Sequence, residues 1–246
     1  MADSCFLAKL GHYLELTQAE KRDLTILEEA PEDYSAGRIL FEEGEEEVDT
    51  LYIVQEGRLH ASTLLQDGSR AILKLHFPGD IAGSSNIPFV HPVTTLTTIT
   101  PARLCRFPRA ALTAVFDRHP RIAALFYSIG MLENVALTDR LRSIGRTDAA
   151  ARIAALILQI AARVSFLQDE LMREVDLELT QAEIGDAVGL TQVHVNRMLR
   201  ELETRRLIAR DGGRVTILDV EELQSVAHFT NRYYKIATDW FPPAST

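Results

Sequence analysis

The chain is poor in cysteine, with two in 246 residues, Cys5 and Cys105. Two thiols so far apart, with no CxxC spacing, cannot build a four-thiolate iron–sulfur cluster or zinc site within one chain. The expected arrangement is one surface thiol near the start of the chain and one thiol in a strand or core. Long hydrophobic runs are also missing. No apolar stretch approaches the roughly 18 residues that a membrane span requires. The opening MADSCFLAKL has no basic stretch leading into an apolar one, as a secretory signal would have. A cytoplasmic protein with no membrane partner is expected. Clustered histidines are missing too. His12, His60, His76 and His91 are scattered with no His-x-His pair, so no ligand spacing supports a metal site or haem ligation, and each reads as an ordinary strand or loop histidine; no metal, cofactor or catalytic residue is expected.

Positive charge is scarce where the chain begins. Residues 1–50 carry 4 basic and 14 acidic side chains, a net of −10, which accounts for the whole formal charge of −9. Residues 191–214 reverse the balance, with 6 arginines against 3 acids. An acidic front and a locally basic segment suit a protein that offers one face to phosphate and repels it elsewhere, although a solvated charged helix has the same composition.

Periodicity divides what remains. Residues 6–30 read as short amphipathic helices ending near Pro31. From 34 to 107 the texture becomes β-prone: RILFEEGE, TLYIVQEGRLHASTLL, SRAILKLHF, PVTTLTTIT and ARLCRF are separated by turn signals. Asp67-Gly68 between two alternating runs marks a hairpin, and strands this short and closely spaced point to a small β-sandwich or barrel. After Pro108 the chain turns helical, with Pro108 and Pro120 at plausible helix starts. Ile122, Leu125, Ile129, Leu132 and Ala136 recur at coiled-coil spacing, after which the apolar stripe drifts to Leu137, Leu141 and Ile144. Such a seam can serve a second chain or the chain's own core, and the length of the helix favours a dimer. Gly145 marks a helix end or hinge, with Thr147 placed to cap the next helix. DAAARIAALILQIAARV is apolar over much of its surface and reads as a core helix, and an acidic linker follows at 168–178.

The stretch 179–218 carries the chemistry. Thr180-Gln181-Ala182-Glu183 is a capping box, Gly189 supplies a turn, and Thr191 caps a second helix running to about Arg205. Two short helices joined by a glycine turn make a helix-turn-helix. At about 100° per residue, Val195, Met198, Leu199 and Leu202 share the inner face. Val193, Arg197, Arg200 and Thr204 lie opposite, flanked by His194 and Asn196. Arginine reads guanine, amides read adenine and a small apolar group contacts the thymine methyl; Gln192, Val193 and His194 stand at the N-terminal end, where base edges are reached. A plain αα-hairpin with a polar outer face is the alternative, and the coincidence of capping box, glycine turn and outward arginines favours DNA. Residues 205–217 alternate around Gly212-Gly213 as a two-stranded wing, with Arg210 and Arg214 available to phosphate.

The run LTQAEIGDAVGLTQVHVNRMLRELETRRLI, with EGRL at 56–59, FPGDIAG at 77–83 and SIGRTDAAARIA at 143–154, resembles the cyclic-AMP receptor protein / fumarate-nitrate regulator (CRP/FNR) family over about residues 6–218. The resemblance implies an α+β architecture: a β-roll sensor of the cyclic-nucleotide-binding jelly-roll type at 1–118, a dimerisation helix at 119–145, a winged helix-turn-helix at 146–218 and an extension at 219–246. It implies a homodimer that binds a palindromic operator in double-stranded DNA and contacts RNA polymerase, with Thr180, Gln181 and Arg200 on phosphates. Thr191, Gln192, Val193, His194, Asn196 and Arg197 would line the groove. Members that bind cyclic AMP carry a glutamate after the last glycine of the GD-x-x-G motif and an arginine about ten residues later. Here Ser84 follows Gly83, Val93-Thr94-Thr95 fills the later region, and no arginine lies between Arg70 and Arg103. A cyclic phosphate would lack its charge partner, so dependence on cyclic AMP is not expected. The cysteine cluster of the oxygen-sensing branch is absent. Many members are acidic where Val193 stands, so a different base preference is expected. Two other readings remain open: a cupin-like metal enzyme, and a cyclic-nucleotide-binding module acting on protein partners. The effector is not legible, and no role is assigned to residues 219–246, which include a short helical stretch and Trp240.

Overall fold

The computed structural model describes residues 4–46, 49–165 and 171–244. Two short helices open the chain, α1 (Cys5–Tyr13) and α2 (Gln18–Thr25). Ser4 caps α1 by accepting from the Leu7 amide, and Thr17 with Glu20 closes a capping box on α2. Eight strands follow: β1 (Pro31–Tyr34), β2 (Ile39–Phe41), β3 (Thr50–Glu56), β4 (Leu59–Leu64), β5 (Arg70–His76), β6 (Ile81–Ala82), β7 (Thr95–Thr98) and β8 (Ala102–Pro108). They form two antiparallel four-stranded sheets, ordered β1-β8-β3-β6 and β2-β7-β4-β5.

The Asp67-Gly68 hairpin joins β4 to β5, with the Asp67 carboxylate accepting from the Ser69 amide at 2.9 Å. The long run TLYIVQEGRLHASTLL divides into β3 and β4 at Gly57, whose φ is +84°. A Cβ there would stand 2.4 Å from the Pro101 carbonyl oxygen, so only glycine lets the two strands switch sheets at this point.

Two apolar clusters fill this half. Phe41, Val54, Leu59, Leu96 and Leu104 form one. Phe6, Leu10, Leu24, Ile53, Phe107, Ile122 and Leu125 form the other, joined by Ile236 and Phe241 from the end of the chain. Lys9 pairs with Asp80, both buried, and Asp80 also accepts from the Phe77 amide at 2.9 Å. Cys105 is fully buried and its Sγ donates to the Glu28 carbonyl at 3.1 Å, while Cys5 is exposed. Burial pushes the Cys105 thiol up to about 11. A thiol reagent at pH 8 is therefore expected to modify one cysteine in the native protein and the second only after unfolding; two fast-reacting native thiols would contradict this packing.

The helical half begins with α3 (Ala110–Arg118) and α4 (Pro120–Arg146), the latter 27 residues long and started by Pro120. It continues through Gly145 without a break. The next helix, α5 (Ala149–Val164), is capped by Asp148, whose carboxylate accepts from the Ala151 amide at 2.8 Å. Thr147, the expected cap, instead donates to the Ser143 carbonyl at 2.8 Å. The remaining elements are β9 (Glu174–Asp176), α6 (Gln181–Val188), α7 (Gln192–Thr204), β10 (Ile208–Asp211), β11 (Arg214–Ile217) and α8 (Val220–Ala227). Of the expected acidic linker, residues 168–170 lie outside the described residues, and part of the rest is β9. That strand pairs with β11, so the wing is a three-stranded sheet, β10-β11-β9. As expected, α5 is a core helix: α6, α7, α8 and β9 all pack on it.

The chain groups into two compact units, residues 1–130 with 236–246, and residues 131–235. The division falls within α4, and the C-terminal extension is split between them. No helix among the described residues is long and apolar enough to cross a membrane.

Candidate nucleic-acid interface

The Thr180 hydroxyl accepts from the Glu183 amide at 3.2 Å, and the Glu183 carboxylate accepts from the Thr180 amide at 2.8 Å. The helix they start, α6, ends at Gly189, which adopts the left-handed conformation at φ +70°. Thr191 then caps α7 by accepting from the His194 amide at 3.3 Å. These are the signals read from the sequence, each in its expected place. A further one was missed. The Gly189 and Leu190 amides both donate to the Gly185 carbonyl, at 2.8 and 3.0 Å, so the turn folds back over α6. A Cβ on Gly185 would lie 2.3 Å from the Leu190 carbonyl oxygen. Glycine four residues before a turn glycine was the available signal.

Val195, Met198, Leu199 and Leu202 are buried on the inner face of α7. Opposite them Val193 is 82% exposed, the most exposed large apolar side chain among the described residues. Thr191, Gln192, Arg197 and Arg200 are exposed around it, with His194 and Asn196 half-buried. Arg197 donates to His194 Nε2 at 2.5 Å, one turn back toward the N-terminal end of α7. Thr180 is exposed and Gln181 half-buried, so all nine residues read as DNA-contacting retain accessible surface on this helix pair.

The wing departs from expectation. Arg210 donates to the Glu203 carboxylate of α7 at 2.7 Å and is half-buried, so it braces the wing against α7. This hydrogen bond holds the Glu203 carboxyl below its ordinary range. Arg214 stays exposed, 3.9 Å from Asp176.

Two of the residues read as a dimer seam are not open to a second chain. Ile122 and Leu125 have no accessible surface, and Ile129 packs against the same N-terminal core. The core of the β-roll unit takes that face of α4; Leu132 and Ala136 are half-buried. The open apolar face lies roughly half a turn round the helix. It carries Met131 at 45%, Val135 at 45% and Leu141 at 62% exposure, with Leu137 and Ile144 also exposed.

In the β-roll, the Ser84 hydroxyl donates to the Ile81 carbonyl at 3.3 Å, and the Val93 amide donates to the Asn86 side chain at 3.1 Å. The stretch between Arg70 and Arg103 contains no arginine of its own, while Arg109 donates to the Ile87 carbonyl at 2.9 Å. Among the described residues no group of three or more His, Cys, Asp or Glu side chains stands together as a metal would require.

Comparison with known proteins agrees with this geometry. The Crp-like helix-turn-helix domain matches residues 151–226, and the cyclic nucleotide-binding domain matches residues 31–119. The CRP-like cAMP-activated global transcriptional regulator of Mycobacterium tuberculosis is 31% identical over 194 residues, 78% of this chain and 86% of that protein. The fumarate and nitrate reduction regulatory protein of Salmonella typhi is 24% identical over 227 residues, 92% and 90% of the two chains. Among solved structures, FixK2 from Bradyrhizobium japonicum superposes with a TM-score of 0.71 at 22% identity, covering 80% of this chain and 96% of its own.

Proposed function

The chain belongs to the CRP/FNR family of DNA-binding transcription regulators, and from that premise we propose that it binds a palindromic operator as a homodimer, controls transcription through RNA polymerase, and does so without cyclic AMP and without enzymatic activity. The observation that carries the reading is Val193. Val193 is an 82% exposed valine on the outer face of a capped helix, one turn before the exposed Arg197. Against a major groove it meets a thymine methyl while Arg197 reaches a guanine edge. Gln192, His194 and Asn196 supply further base contacts. Thr180, Gln181 and Arg200 hold the backbone, the first two at the N-terminus of α6, where amides and dipole favour phosphate, and Thr191 stands at the groove end of α7.

Dimerisation is assigned to the open face of α4, through Met131, Val135, Leu137, Leu141 and Ile144. Placing a charge there leaves it desolvated and unpaired in the interface. Val135→Asp and Leu141→Asp are each expected to convert a dimer to a monomer in analytical ultracentrifugation at micromolar concentration, whereas Ile26→Asp, at an exposed site elsewhere, leaves it dimeric. Monomeric wild type, or dimeric aspartate variants, would remove the face from the account.

The function itself is tested by equilibrium binding to genomic fragments against random duplex at fixed salt. Preference for some fragments by on the order of 10³ or more is expected, unchanged by added cyclic AMP. Uniform affinity, or binding that appears only with the nucleotide, would refute it.

A further inference from the structure

Within the unit formed by residues 131–235, a cavity of about 70 Å³ lies among the C-terminal end of α4, α5, the last turn of α6 and the segment following α8. Four arginines line it, Arg140, Arg142, Arg152 and Arg232, against a single carboxylate, Asp139. Asp139 is already shared: Arg232 Nε donates to it at 2.9 Å and Arg142 stands 3.4 Å away. Arg142 also donates to the His228 carbonyl at 3.2 Å. Arg152 turns Nε and one Nη to the Thr147 carbonyl, at 3.3 and 3.2 Å, a neutral acceptor, and no carboxylate among the described residues forms an ion pair with it. The Ser143 and Thr147 hydroxyls, 3.2 Å apart, line the same space.

Structural needs account for the hydrogen bonds but not for the charge. Carbonyl acceptors could be satisfied by neutral donors, and gathering several guanidinium groups around one carboxylate is unfavourable without a further anion. The planar fork of arginine matches the paired oxygens of phosphate and carboxylate. The space is sufficient for such a group: one water needs about 10–15 Å³ in the same measure, so a tetrahedral or planar oxyanion fits among these side chains.

We propose that this cavity is a binding site for the phosphate or carboxylate group of a small anionic ligand, held by Arg152, Arg142 and the Ser143 and Thr147 hydroxyls. The site as a binding site stands on its own geometry; only its consequence for DNA rests on the functional reading above. That consequence follows from position. Ala187 and Val188, the last residues of α6 before the Gly189 turn, belong to the lining, and Arg140 donates to the Ala187 carbonyl. An anion drawn to Arg140 competes for the guanidinium that caps the end of α6. Occupancy therefore alters how the helix pair is held, and operator affinity changes reciprocally with ligand affinity.

The test uses the full chain, isotope-labelled for NMR, titrated with inorganic phosphate at constant ionic strength and without DNA. Saturable shifts are expected at Ser143, Thr147 and Ala187. Arg152→Gln, whose amide still reaches the Thr147 carbonyl, weakens binding tenfold or more, and so does Arg142→Gln. Arg103→Gln, on β8, leaves it unchanged. Absence of saturation by about 10 mM phosphate, or equal weakening by all three variants, overturns the site. Random-sequence duplex added to the phosphate-loaded protein separates the two sources of the anion. Retained phosphate supports a small-ligand site, and displacement assigns the arginines to the DNA backbone and overturns the proposal. Because phosphate binding is read without DNA, its failure is distinguishable from failure of the operator assignment.

Discussion

Replacing Gly185 by alanine is expected to abolish sequence-specific DNA binding while leaving the β-roll folded. The added methyl would stand 2.3 Å from the Leu190 carbonyl oxygen, a backbone atom that cannot rotate aside. Either α6 and the turn separate, breaking the two hydrogen bonds to the Gly185 carbonyl, or α7 tilts and its Val195 and Leu199 lose their packing against α5. Overpacking of this kind costs about 1–3 kcal/mol, and the backbone contact places Gly185→Ala near about 3 kcal/mol. The 131–235 unit should lose that much stability in urea, with its midpoint shifted and the N-terminal transition unmoved. Gly189→Ala provides the contrast. It has nothing within 4 Å of its added Cβ, so only the left-handed backbone opposes it, at about 1–2 kcal/mol. If Gly189→Ala proves the more damaging of the two, the close approach of turn and helix is wrong.

Arg197→Ala is expected to leave the fold untouched and lower operator affinity by about 1–3 kcal/mol, roughly fivefold to more than a hundredfold. The exposed guanidinium makes no contact with the core of α7, so its removal opens no cavity. The loss should fall on one base position in each half-site, while affinity for random duplex drops far less. His194→Ala acts through the same side chain. It frees Arg197 from the Nε2 contact that orients it, so a smaller loss at the same base position is expected. Equal loss on specific and random duplex would reassign Arg197 from base reader to phosphate contact.

The sequence revealed the helix pair better than anything else in the chain. Thr180 with Glu183, Gly189 and Thr191 are local signals: each cap or turn is satisfied within three or four residues, so it can be read without knowing the rest of the fold. The Asp67-Gly68 hairpin was legible for the same reason. What was missed depends on distant partners. β9 is three residues long and exists because β11 lies beside it, while its own sequence reads as an acidic linker. β1 lies against β8, some seventy residues on, and β6 is only two residues long. The spacing of Ile122, Leu125 and Ile129 marks an apolar stripe, but periodicity cannot say which apolar surface the stripe meets. Here that surface is the chain's own Phe6, Leu24 and Phe107. Arg210 pairs with Glu203 of α7, a partner that the wing's own sequence does not indicate.

The central claim is that the outer face of α7 reads bases. Selection of bound duplexes from a random-sequence library, run in parallel with wild type and Arg197→Ala, tests it most directly. Wild type is expected to recover a palindrome with half-site centres about 10–10.5 bp apart, and the variant the same palindrome with one position per half-site relaxed. Recovery of no shared sequence by wild type, or of an identical preference by both proteins, would contradict it.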